Sequence, residues 1–176
     1  MMNKKLIVAA MLAGSAFASV AQAADGTINF TGTIIDTACT VTPATATQTV
    51  ALGTVNKSAF GAAGSSASPT RFSVVLTSCP ATATTATVKF DGPTNAVNSS
   101  LLAVTPSAGT EAQNVGVGIY EQDASTLIPV ATASASKTLS TTTDTTFNFV
   151  AKYVATATGV TAGPANAVSD FTVSYN

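Results

Sequence analysis

The sequence contains no histidine, and this absence removes most of the common catalytic and metal-binding arrangements. Ser-His-Asp triads, Cys-His dyads and histidine-based metal sites all need an imidazole. The eight carboxylates are scattered along the chain, with Glu121 and Asp123 as the close pair. Two carboxylates can serve a glycosidase, but a solvated turn after a strand is the simpler interpretation of this pair. We therefore predict a protein that is not an enzyme and that holds no metal or cofactor.

Charge is also scarce. Charged residues make up 9% of the chain, against about 25% in typical soluble domains. The sequence has no basic patch, so nucleic acid is not an expected partner. Alanine, threonine, serine and valine are abundant instead, and threonine and valine favour extended structure. A surface with so few charges resists association poorly, which indicates a protein that associates with others.

The first 23 residues have the layout of a secretory signal peptide. Lys4 and Lys5 give a short basic start, an apolar run opens at Leu6, and Ala21-Gln22-Ala23 is a small-x-small cleavage site. The apolar run is shorter than the roughly 20 residues of a membrane-spanning helix. Cleavage after Ala23 would leave 153 of the 176 residues, enough for one domain with a real core.

Two cysteines are present, Cys39 and Cys79. Because an exported protein meets an oxidising compartment, we expect them to form one disulfide. It would close a loop of about 40 residues, for which the chain-entropy estimate is roughly 4 kcal/mol. A redox or metal-binding thiol pair is the alternative, but the sequence has no Cys-x-x-Cys and no histidine to complete a metal site.

Strand patterns recur along the rest of the chain, and no helical pattern reaches a useful length. The predicted strands cover residues 49–55, 71–77, 87–90, 114–122, 146–155 and 167–175, and a loop rich in Gly, Ala and Ser is predicted at 58–69. In the last strand Phe171, Val173 and Tyr175 share one face. Short strands separated by turn signals predict an all-β fold, a sandwich of the immunoglobulin-like kind.

A further strand pattern lies between the cleavage site and the first cysteine. Small or apolar residues alternate there with polar ones, at Gly26, Ile28, Phe30, Gly32 and Ile34. The pattern alone leaves two interpretations open: the first strand of the chain's own sandwich, or a strand made to be buried in another molecule. Exposed sheet edges normally carry charge or proline, and this strand has only Asp25 at its start.

The chain resembles the type 1 fimbrial major pilins of the chaperone–usher pathway over essentially all of its mature length. The segments that carry the resemblance are Gly26–Cys39, Thr49–Gly53, Asn114–Ile119, Phe149–Tyr153, and a C-terminal signature with Gly163, Phe171, Val173 and a penultimate Tyr175. The combination is specific because it comes with one cysteine pair and a signal peptide.

This resemblance implies an incomplete immunoglobulin-like β-sandwich that lacks its last strand. It implies a signal peptide at residues 1–23, a donor-strand extension at 24–36 and a pilin domain at 37–176. The donor residues would be Gly26, Ile28, Phe30, Gly32 and Ile34, inserted into a groove beside the C-terminal strand of the next subunit. That groove and its chaperone- and usher-facing strand would include Gly163, Phe171, Val173 and Tyr175. Gly32 is open to two interpretations, a turn or a site where only a small residue fits.

The resemblance further implies a major structural subunit of a fimbria that supports cell adhesion. Its partners would be copies of itself, other pilins, a periplasmic chaperone and an outer-membrane usher, with a host receptor as an additional partner. It would travel through the periplasm to the cell surface. A minor or adaptor pilin, or a side-on adhesive subunit of the same system, is the alternative. A secreted hydrolase is disfavoured by the missing histidine.

Overall fold

The computed structural model describes residues 26–32, 34 and 38–176. The chain divides into two units at Gly32 and Thr33. The predicted signal peptide lies outside the described residues, as do residues 24, 25, 33 and 35–37. Among the described residues, no helix is long and apolar enough to cross a membrane.

Strands dominate the described part of the chain. They are β1 (Thr40–Val41), β2 (Ser66–Thr77), β3 (Thr85–Asp91), β4 (Val115–Glu121), β5 (Leu127–Ile128), β6 (Lys137–Thr138), β7 (Thr145–Ala155) and β8 (Asp170–Tyr175). The helices are a four-residue α1 at Pro43–Ala46 and a three-residue 3-10 turn at Lys57–Ala59. This agrees with the lack of helical periodicity in the sequence.

The strands form two antiparallel sheets. One has five strands in the order β1-β2-β7-β4-β5, and the other has three in the order β6-β3-β8. In the longest pairing Phe72 of β2 lies opposite Phe149 of β7. In the smaller sheet Phe90 of β3 lies opposite Phe171 of β8.

The core lies between the two sheets. Phe90 from the smaller sheet packs edge-on against Phe149, with ring centroids 5.0 Å apart, and against Phe72, at 5.9 Å. Val74 and Val88, one from each sheet, are completely buried in the same cluster. Each sheet thus contributes one face to this cluster, which is the arrangement of a β-sandwich.

Five of the predicted strands are confirmed and correspond to β2, β3, β4, β7 and β8, although β8 begins at Asp170 and not at residue 167. Two predictions are wrong. Residues 49–55 form no strand. The predicted loop at 58–69 runs too far, because β2 already begins at Ser66. A bulge between Ala67 and Thr70 contains Pro69 and a left-handed Ser68 (φ 56°), so a polar, proline-containing stretch is accommodated in a strand.

Candidate subunit interface beside the last strand

The last strand of the chain has one unpaired edge. β8 pairs with β3 on one side, and no other described strand lies on its second side. Phe171, Val173 and Tyr175 are half-buried and pack against the main core. The residues between them are exposed. The edge therefore offers free backbone groups next to apolar side chains that remain partly uncovered.

The second side of β3 is covered, partly by β6 and partly by the segment that precedes β6. The backbone N–H groups of Ala131 and Ser134 donate to the carbonyls of Phe90 and Val88 in β3, and the N–H of Leu139 donates to the carbonyl of Thr84, just before β3. The buried Ser134 hydroxyl also accepts the N–H of Val88 at 3.0 Å. Val88 is fully buried. Its N–H therefore donates to a side-chain hydroxyl, in place of the backbone carbonyl that a neighbouring strand would supply. No periodic pattern predicts this cover, which is rich in alanine, serine and threonine.

Residues 49–55 lie along β2 and form no strand. Val50 and Leu52 are half-buried and pack on the same core as β8, whereas Ala51 is exposed. Among the described residues, no backbone–backbone hydrogen bond involves this stretch. The hydroxyls of Ser68 and Thr70 donate to the carbonyls of Leu52 and Ala51. We call the strip between residues 49–55 and β8 the cleft.

One end of the cleft opens into a cavity of about 380 Å³. Its walls include Val55 on one side, Gly163 on the other, and Tyr153 and Val160. A side chain at Gly163 would meet the carbonyl oxygen of Thr110 and the backbone of residues 111 and 112. Glycine is required there because two backbone segments approach closely, which explains this part of the C-terminal signature.

At the other end of the cleft, Tyr175 of β8 contacts the residue that precedes β1. The Tyr175 hydroxyl donates to the carbonyl of Cys39 at 3.4 Å. Cys39 is joined to Cys79 by the predicted disulfide, which closes a sequence separation of 40 residues. The carbonyl oxygen of Asn176 accepts the N–H groups of residues 84 and 85. Burial raises the pKa of Tyr175 above its ordinary value, so its hydroxyl is protonated at neutral pH.

The predicted donor residues are exposed in the single chain. The exposed fractions are 79% for Ile28, 92% for Phe30 and 100% for Ile34. Residues 26–32 and Ile34 belong to no strand. A Cβ atom added at Gly26 or Gly32 would have no neighbouring atom within 4 Å, and neither glycine has a left-handed φ. A turn that demands glycine is therefore not formed at Gly32 in this chain, and neither glycine is required by its present surroundings.

The close carboxylate pair is a turn, as predicted. The Asp123 carboxylate accepts hydrogen bonds from the Thr126 hydroxyl at 2.6 Å and from the N–H groups of Ser125 and Thr126. These bonds hold the pKa of Asp123 far below its ordinary value, with the Thr126 hydroxyl as the largest cause. Glu121 instead accepts the N–H of Ala135 at 2.7 Å. Within the described ranges, no cluster of carboxylates and cysteines could hold a metal ion.

Comparison with known proteins identifies the kind of molecule to which this cleft belongs. The family model described as Fimbrial protein matches residues 28–176. The chain belongs to this family. It is 40% identical to the type-1 fimbrial protein subunit of Serratia marcescens over 182 residues, covering 99% of each chain. It is 38% identical to the probable major fimbrial subunit LpfA of Escherichia coli O157:H7 over 177 residues, covering 98% of this chain and 97% of the relative.

Solved structures of pilins share the fold. The Burkholderia pseudomallei antigen and type I fimbria protein is 37% identical, with a TM-score of 0.61, over 85% of this pilin and 97% of that chain. The P pilus rod subunit PapA has a TM-score of 0.66 at 21% identity, over 80% of this pilin and all of that chain. This pilin is thus a non-enzymatic fimbrial subunit with an immunoglobulin-like fold and a place in a surface fimbria. The predicted family and fold class are confirmed.

Proposed function

We propose that this pilin is the major repeating subunit of its fimbria and that it polymerises by donor-strand exchange. Residues 26–34 of one copy fill the cleft of the next, with Gly26, Ile28, Phe30, Gly32 and Ile34 facing inward. The observation that carries this proposal is the cleft itself. Two unpaired backbone edges, residues 49–55 and β8, border half-buried core side chains, and the chain has a segment of matching alternation exposed to solvent.

The energies of insertion support a durable joint. Burying Ile28, Phe30 and Ile34 stabilises the complex by roughly 1.5–3 kcal/mol each. Each backbone hydrogen bond along the two edges contributes about 1 kcal/mol. The gross gain exceeds about 10 kcal/mol before the cost of association is subtracted. A fibre needs slow dissociation more than fast binding, and such a joint dissociates slowly.

The two ends of the cleft support one direction for the inserted strand. The end closed by the hydrogen bond between Tyr175 and Cys39 suits the small Gly26, whereas the cavity at the other end suits Ile34. The donor strand therefore runs antiparallel to β8. An antiparallel strand also matches the other pairings in both sheets.

In this direction the donor segment must come from another molecule. Cys39 lies at the Tyr175 end of β8, and the five residues from Ile34 to Cys39 span at most about 18 Å. The six residues of β8 span about 17 Å, and the cavity is lined by residues that precede β8. The backbone between Cys39 and the chain's own Ile34 would be fully extended before Ile34 reached the cavity. The cavity is therefore left for Ile34 of a neighbouring copy.

Export makes a cover for the open cleft necessary before assembly. The predicted signal peptide sends the chain to the periplasm, where a half-buried apolar strip next to free backbone groups invites aggregation. A periplasmic chaperone that lends a strand to this cleft, and an outer-membrane usher where the donor segment replaces it, meet that requirement.

The test is a pair of single substitutions that add the same charge to opposite faces of the donor segment. Phe30→Asp places a carboxylate in the apolar cleft and should abolish oligomer ladders that resist SDS until boiling. Asn29→Asp places it on the solvent face and should leave the ladders intact. Normal ladders from Phe30→Asp would overturn donor-strand insertion.

Electron microscopy of cells lacking the gene tests the role as major subunit. Loss of the whole fimbrial rod is expected, whereas loss of the tip alone would indicate an adaptor.

A further inference from the structure

Arg71 is the one arginine in the sequence, and it lies on the outward face of the five-stranded sheet. Its neighbour Phe72 points into the core, so Arg71 points the other way. Arg71 pairs with Val150 of β7, and Val150 pairs with Tyr120 of β4, which places these three residues in one row across the sheet. Asn148 is the next outward residue of β7.

A shallow depression of about 140 Å³ lies at this row. Its lining includes the exposed polar residues Arg71, Asn148 and Gln122, which come from or directly follow three different strands. Its floor contains Val150, which is 2% exposed. Among the described residues, the three polar side chains have no ion-pair partner and no hydrogen-bonded side-chain partner.

The charges around the depression leave Arg71 uncompensated. Asp123, next to Gln122 in the sequence, directs its carboxylate into its own turn. Lys152 lies 3.9 Å from the centre of the Tyr120 ring and donates to the carbonyl of Ala124. Among the described residues, neither Arg71 nor Lys152 therefore has a carboxylate partner.

The three side chains match a particular ligand chemistry. A guanidinium group binds a carboxylate through two parallel hydrogen bonds. The primary amides of Asn148 and Gln122 each offer a donor and an acceptor, which suits hydroxyl groups. The volume is below the roughly 300 Å³ of a site that encloses a whole small molecule. The depression is large enough for the carboxylate end of a larger ligand.

We propose that this depression binds the carboxylate end of an acidic sugar, such as a sialic or uronic acid, on the outward face of the sheet. The site is separate from the cleft, and the proposal does not rest on donor-strand exchange. Single-site affinity is weak because the depression is shallow and solvent-exposed. Repetition of the site on a polymer would raise the effective affinity.

Surface plasmon resonance on the immobilised full protein tests the site with N-acetylneuraminic acid and glucuronic acid. N-acetylglucosamine is the neutral sugar and acetate the bare carboxylate. Saturable binding of both acids below about 10 mM is expected, with little response to the two comparison ligands. Arg71→Gln should weaken binding about tenfold or more. The affinity of Arg71→Lys should lie between those of the original protein and Arg71→Gln, because lysine keeps the charge but cannot form the two parallel hydrogen bonds of a guanidinium group. Lys89→Gln removes the same charge from the other sheet and should bind like the original protein.

Several outcomes would overturn the proposal. These are no saturable binding of either acid, equal binding of acetate, or equal weakening by Lys89→Gln. Normal sugar binding by Arg71→Gln together with altered fibre assembly would assign Arg71 to a contact between subunits instead.

Discussion

Ile34→Ala should weaken the joint between subunits without affecting the fold of a single chain. Ile34 is completely exposed in the single chain, so its truncation removes no packing there. In the proposed joint it fills part of the cavity of about 380 Å³ at the end of the cleft. Truncating a buried isoleucine to alanine costs about 2–4 kcal/mol, which corresponds to roughly 30- to 1,000-fold faster dissociation.

The assay follows the release of monomer from purified fibres at a fixed guanidinium concentration, by gel electrophoresis without boiling. Thr31→Ala is the control, because Thr31 lies on the solvent face of the donor segment. Fibres of Ile34→Ala that dissociate at the original rate would refute the assignment of Ile34 to the cavity.

A second comparison tests the direction of the inserted strand. Ile34→Phe adds volume at the cavity end, where space remains, and should leave the joint at least as durable. Gly26→Phe adds a larger volume at the end closed by the hydrogen bond between Tyr175 and Cys39, and should cost about 1–3 kcal/mol from overpacking. If Gly26→Phe is tolerated and Ile34→Phe is not, the donor strand runs parallel to β8 instead.

Three further predictions concern the domain itself. Cys39→Ser should lower stability by roughly 4 kcal/mol because the unfolded chain loses its loop constraint; equal periplasmic yield and equal melting temperature would contradict this. Ser134→Ala should cost about 1–3 kcal/mol, since the buried N–H of Val88 loses its acceptor. Ser136→Ala is the exposed control in the same denaturant titration, and equal midpoints would contradict the role of Ser134. Because folding lowers the pKa of Asp123, its contribution is present above the ordinary aspartate pKa and is lost as the pH falls below it. Asp123→Asn should therefore flatten the acid limb of a melting-temperature profile, and an unchanged limb would contradict this.

Strands with strict alternation were predictable because their partners lie in the same chain. Val74 and Phe149 occupy the inward positions that the period of two predicts. Residues 49–55 have the same alternation, yet they form no strand. A strand is defined by pairing, and the sequence pattern reports a buried face without saying which molecule supplies the neighbour. The error at residues 49–55 is thus informative about the cleft.

Other features were beyond sequence reasoning. The cover over β3 depends on the hydroxyl of Ser134 meeting the N–H of Val88, 46 positions apart, and no local period signals such a contact. The bulge at Ser68 and Pro69 resembles a loop in composition and becomes part of a strand through its pairing with β7. The depression at Arg71 likewise depends on the register of three strands.

In the proposed mode of assembly, the covered side of β3 and the open edge of β8 together limit how many neighbours one molecule can hold through its smaller sheet. Each molecule then accepts one donor segment and offers one, so it holds two neighbours through this contact. Growth by this route gives an unbranched filament with two chemically different ends. The rates of subunit addition and loss therefore need not be the same at the two ends.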